Sequence, residues 1–148
     1  MIDESLIKIA LTLESQEDVF HYLSELVVKE GYAKKASEVL KALKDREAEG
    51  STGMMDGFAI PHAKSNTITK PGVAIVKLAA GINWESMDGK PTKYIVALFI
   101  PETEAGTTHL KLLSQLARLL MKDDFKKAFE AAQTPSELKA LLEDKLSS

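Results

Sequence analysis

Two nearly continuous apolar runs constrain this chain most: "GVAIVKLAAG" (Gly72 to Gly81) and "KYIVALFIP" (Lys93 to Pro101). The first is rich in Val, Ile and Ala and the second in Val, Ile, Tyr and Phe, and neither alternates apolar with polar. A strand with one wet face alternates, so these read as strands covered on both faces. Between them "MDGKP" (Met87 to Pro91) reads as a turn. A doubly covered sheet needs helices on each side, and the flanking thirds of the chain change to helical period.

Before the sheet, "LIKIAL" (Leu6 to Leu11) reads as a short strand. Ser15, with Asp18 three residues on, is a capping-box signature for a helix whose Val19, Phe20, Leu23, Leu26 and Val27 share a face and which Gly31 stops. A second helix over Ser37 to Glu49 carries Val39, Leu40 and Leu43 inward and ends at Gly50. Arg46, three residues after Leu43, is turned partly toward the core side. "GFAIPH" reads as a short strand ending at the histidine. In the last third, Thr107 or Thr108 caps "HLKLLSQLARLLM", Asp123 or Asp124 caps "FKKAFEAA", and Thr134 caps a helix with Pro135 at its first position and Glu137 three after the cap. The order β-α-α-β-β-β-α-α-α predicts an α/β or α+β fold, a sheet with helices against its faces. Strand order does not follow from pattern.

At 148 residues the chain fits one domain, residues 1–148, with an ordinary apolar fraction of 45%. No window reaches the ~18 consecutive apolar residues of a transmembrane helix. The start "MIDESLIKIALTLESQED" has early acids and no basic region, so no signal peptide or membrane insertion is expected and the cytoplasm is the expected location. Zero cysteines rule out disulfides, thiolate metal sites and a cysteine nucleophile. A net charge of −3 with dispersed Lys and Arg argues against nucleic-acid binding. P-loop, dinucleotide, H-E-x-x-H, EF-hand and G-x-S-x-G patterns are all missing. The three histidines, His21, His62 and His109, are too scattered to predict zinc, and no metal or cofactor is expected.

Chemistry concentrates at four places, each with a plain alternative. Pro61 restricts Ile60 to extended geometry and delivers His62 in a defined direction, near a strand end where ligands gather. His62 is either a functional imidazole or an incidental one at a rigid strand exit. Upstream, "GSTGMMDG" (Gly50 to Gly57) offers hydroxyls and free N–H groups able to hold an anion. His109 lies in the first turn of a helix, where the dipole attracts phosphate and keeps an imidazole neutral; it can equally help cap that helix. Arg46 needs an oxyanion or a neighbouring carboxylate. His21, next to inward-facing Phe20, reads as a partly exposed helix residue. Together, two imidazoles, an arginine and a Ser-Thr-Gly loop make a phosphate site without a nucleotide motif.

"REAEGSTGMMDGFAIPHAKS" (Arg46 to Ser65) resembles the phosphorylation-site region of the enzyme IIA domains of the fructose–mannitol class, from the bacterial phosphoenolpyruvate-dependent sugar phosphotransferase system. "GINWESMDGKP" (Gly81 to Pro91) and "THLKLLSQLARLLMKDDF" (Thr108 to Phe125) extend the resemblance over nearly the whole chain. It implies a mixed sheet sandwiched between helices. It implies further that His62 takes a phosphoryl group from phosphorylated HPr, through Nε2, and passes it to a cysteine of enzyme IIB within a membrane permease complex. His109 then matches the second active-site histidine and Arg46 the arginine lining the site. Ser51 and Thr52 fall on the phosphate-supporting loop. The fructose branch fits best; a nitrogen-related regulatory relative, binding partners according to phosphorylation state, is the second reading, and a three-histidine metal hydrolase the third. Met55 and Phe58 depart from the small and aliphatic residues usual there, which bears on partner choice.

Overall fold

A computed structural model describes residues 2–104 and 106–146. It contains β1 (Ile2–Leu11), α1 (Gln16–Lys29), α2 (Ala36–Glu49), β2 (Phe58–Ala59), β3 (His62–Ser65), β4 (Gly72–Ile82), β5 (Thr92–Pro101), a 3-10 turn (Glu102–Glu104), α3 (Thr107–Leu119), α4 (Asp123–Ala131) and α5 (Pro135–Leu146). The sheet order is β1-β4-β5-β2, with β3 also on β5. β4 and β5 are antiparallel and every other pairing is parallel, so the sheet is mixed.

Both faces of the sheet are covered, as the unbroken apolar runs require. On one side Ala74, Val76, Ile95 and Phe99 pack with Phe20, Leu23 and Val27 of α1 and Val39 and Leu43 of α2. On the other, Val73, Ile75, Val96 and Leu98 pack with Leu116 of α3, Phe129 of α4 and Leu138 and Leu142 of α5. Each such side chain contributes about 1.5–3 kcal/mol through burial. Lys77, at the centre of β4, is also buried. Its Nζ donates to the carbonyls of Phe129, Glu130 and Ala132 at 2.9, 3.0 and 2.6 Å, closing the C-terminal end of α4.

Several boundaries differ from the sequence expectation. β1 begins at Ile2, because it pairs with Val73 despite the polar "DES" that follows. The first helix is capped by Ser15, whose Oγ accepts from Asp18 N at 3.1 Å, and α5 by Thr134 with Glu137 as expected. α3 has Gly106 at its N-cap, so neither Thr107 nor Thr108 occupies that position; the side chains of those threonines lie outside the described residues. α4 is capped by the extended Lys122, and Asp123 and Asp124 fall inside the first turn, where their charge suits the helix dipole.

Candidate active site

His62 does not end a strand, as expected from "GFAIPH"; it opens β3. Phe58 pairs with Tyr94, Ala59 with Ile95, and then His62 with Leu98 and Ala63 with Phe99. The offset is the same on both sides of Pro61, so β2 and β3 are halves of one edge strand interrupted where proline lacks an N–H. The missing N–H lies on the β5 side, to which the Pro61 carbonyl also points, so one ladder bond is lost there. That carbonyl still accepts from Leu98 N at 3.0 Å. Phe58 and Ile60 pack on the α3–α5 side while Ala59 and Ala63 face α1 and α2. Alternation therefore turns His62 toward α3, where His109 waits.

His62 is only 8% exposed, and both its ring nitrogens are engaged. Nδ1 lies 3.0 Å from the Ile60 carbonyl, which can only accept, so Nδ1 carries the proton. Nε2 receives a hydrogen bond of 2.9 Å from Arg46 Nε, which can only donate, so Nε2 carries the lone pair. Both contacts assign the same neutral tautomer. Burial pushes the His62 pKa below its ordinary value, and the Arg46 charge adds to that against the opposing pull of the Ile60 carbonyl. Arg46 Nη1 donates to Gly50 O at 2.9 Å, anchoring the guanidinium at the end of α2.

His109 sits in the first turn of α3, its ring centroid 5.8 Å from that of His62. Its Nδ1 is buried and has no hydrogen-bond partner among the described residues. Burial first, then the neighbouring His62 and Lys64, lower its pKa. The two histidines and Arg46 line a cleft of about 730 Å³ whose rim includes Lys64, Glu102 and Leu110, the last 63% exposed.

The structure does not bring Ser51 and Thr52 into this cleft. Ser51 Oγ donates to Trp84 O at 3.1 Å, and Thr52 Oγ1 donates to Glu47 Oε1 at 2.6 Å. Their hydroxyls are turned toward Glu47 and Trp84, away from His62. His21 also lies apart, on α1 with its Nε2 4.0 Å from Glu17. No group of three or more His, Cys, Asp or Glu is placed to hold a metal ion among the described residues. Sequence reasoning missed Glu47 and Trp84; the R-E pair and the single tryptophan were the signals available.

The sequence profile of the family "Phosphoenolpyruvate-dependent sugar phosphotransferase system, EIIA 2" matches residues 1–145. The fructose-specific EIIA component of Haloferax volcanii is 34% identical over 128 residues, covering 86% of this chain and 82% of that protein. The 2-O-alpha-mannosyl-D-glycerate-specific EIIABC component of Escherichia coli is 33% identical over 132 residues, 88% of this chain, and this chain spans only 20% of its length. Among solved structures, the nitrogen regulatory protein IIA-Ntr of Neisseria meningitidis superposes with a TM-score of 0.87 at 27% identity, over 95% of this chain and 94% of that one. A match across nearly every described element, with a neutral imidazole and an arginine at the same cleft, places the chain in a family whose members move phosphoryl groups between proteins: it belongs to the EIIA type 2 family of the phosphoenolpyruvate-dependent sugar phosphotransferase system.

Proposed function

We propose that this protein is a phosphocarrier that takes a phosphoryl group from phosphorylated HPr on Nε2 of His62 and passes it to a cysteine of an enzyme IIB, in fructose-type sugar uptake. The observation that carries the reading is the fixed tautomer of His62, with Nδ1–H on the Ile60 carbonyl and the Nε2 lone pair facing the cleft. The step is an in-line displacement: the Nε2 lone pair forms the N–P bond, and the donor's N–P bond breaks with its electron pair leaving on the donor imidazole. Arg46 gives up its bond to Nε2 and turns its donors to the phosphoryl oxygens. His109 supplies a second contact from the helix N-terminus. In onward transfer a thiolate sulfur attacks the same phosphorus and the electron pair returns to Nε2. Ser51 and Thr52 support the site through the loop they anchor. The name of the Escherichia coli relative joins A, B and C components in one protein, which supports a IIB acceptor.

A second reading has its own support. The Neisseria meningitidis protein, with its TM-score of 0.87, is a nitrogen regulatory protein, so regulation by phosphorylation state fits the same site. One experiment tests the shared chemistry and separates the branches. The protein is incubated with phosphoenolpyruvate, enzyme I and HPr, and the modified residue is mapped by mass spectrometry under alkaline conditions. Label at His62, absent in His62→Ala, is expected; label elsewhere overturns the site. Onward transfer to a IIB cysteine then marks the transport branch, and stable phosphoprotein with no such transfer marks the regulatory one.

A further inference from the structure

Arg46 and Glu47 are adjacent in the last turn of α2 and point in different directions, about 100° apart around the helix. Arg46 reaches Nε2 of His62 directly. Glu47 turns to the loop, where its Oε2 accepts from Thr52 N at 2.8 Å and its Oε1 from Thr52 Oγ1 at 2.6 Å. The indole Nε1–H of Trp84 donates to Thr52 Oγ1 at 3.1 Å; an indole cannot accept, so the threonine proton is directed to Glu47. Thr52 is 4% exposed and Trp84 2%, while Glu47 is half-buried, so the grip is dry on the loop side only. From Thr52 the chain of bonds continues: its carbonyl accepts from Ile60 N at 3.0 Å, and the Ile60 carbonyl accepts from Nδ1–H of His62 at 3.0 Å. Pro61 keeps Ile60 extended between the two.

We propose that Glu47 is a positioning residue which, through Thr52 and Ile60, aims the carbonyl that fixes the His62 tautomer. Two consecutive residues of one helix thus hold the two nitrogens of one imidazole. A carboxylate suits the task because it accepts two bonds and donates none, matching the N–H and O–H fork of Thr52. The last turn of a helix disfavours an anion, so these two charge-assisted bonds are what hold the carboxylate there. The consequence for phosphoryl transfer rests on the function proposed above; the tautomer itself does not.

The test is long-range ¹H–¹⁵N correlation of the His62 ring across a pH series in the full chain, for wild type, Glu47→Gln, Glu47→Ala and Thr52→Val. Wild type should show the Nδ1–H form. Glu47→Ala should shift the ring toward the Nε2–H form and displace its titration midpoint, with Glu47→Gln intermediate because one acceptor remains. Labelling of His62 should fall about ten-fold in Glu47→Ala, since a small misplacement of the attacking atom is costly. If Glu47→Ala does not fold, Glu47→Gln and Thr52→Val decide. A folded variant whose tautomer matches wild type overturns the proposal, because a loop anchor alone would leave the tautomer unmoved, whereas loss of the Glu47 charge moves the midpoint by itself. Should wild type never label at His62 while the tautomer still shifts, the proposed function fails and the positioning role stands.

Discussion

Arg46 Nε lies 2.9 Å from His62 Nε2, so the arginine holds the lone pair that the ring would use as a nucleophile. The same bond keeps the ring neutral and oriented, and it has to be released before Nε2 can bond to phosphorus. Under the proposed function, the Arg46 guanidinium and the incoming phosphoryl group are therefore alternative partners of one nitrogen, His62 Nε2.

Replacing Arg46 with Ala should separate these effects. Carbethoxylation of His62 by diethyl pyrocarbonate, followed by absorbance at fixed pH, should speed up as the lone pair is uncovered. Phosphoryl transfer from HPr should slow by about 100-fold, the usual scale for losing one donor to a developing oxyanion. A variant that slows in both assays would contradict the alternative-partner relationship.

His109→Ala should still accept phosphate, slowly, and transfer it onward poorly, because an oxygen donor is lost and the nucleophile kept. Stability should stay within about 1 kcal/mol of wild type, since the buried Nδ1 of His109 has no partner to lose. Rapid-quench transfer to a IIB and urea denaturation measure the two.

Acid should destabilise the protein through the histidine pair. Both imidazoles have folded pKa values below the ordinary value near ~6.5, chiefly from burial. Below ~6.5 the unfolded chain binds protons that the folded site refuses, so their contribution to stability is complete above that pH. It is lost as pH falls toward the folded values, and no more is lost below them. Urea midpoints measured from pH 7 to 5 should fall, and His62→Gln should flatten part of that slope. An unaltered slope would remove His62 as a cause.

Lys77→Met should cost about 2–4 kcal/mol, because three carbonyls at the end of α4 lose their donor within the sheet–helix interface. Thermal or urea unfolding reads this directly, and labelling of His62 should survive in the folded fraction.

The resemblance at "AIPH" located His62, and helix period turned Arg46 toward the core side; both residues meet in the cleft. Pattern could not see that Pro61 interrupts an edge strand without changing its register, because that depends on pairing with β5, some 36 positions away. The hydroxyls of Ser51 and Thr52 looked available in sequence, since a Ser-Thr-Gly loop can face either an anion or the protein. Trp84 and Glu47 decided the direction; the R-E pair and the single tryptophan are visible in the sequence, but which way they face is not.

Local pattern was enough to specify the helices, the strands β1, β4 and β5 and the covering of both sheet faces, because side-chain period and continuous apolar runs are local properties; β3, beyond Pro61, was not legible that way. The strand order, the placing of Lys77 beneath α4 and the tautomer of His62 emerge only in the folded chain. Those follow from hydrogen bonds between groups far apart in the chain, whose donors and acceptors acquire a direction only once the backbone is folded.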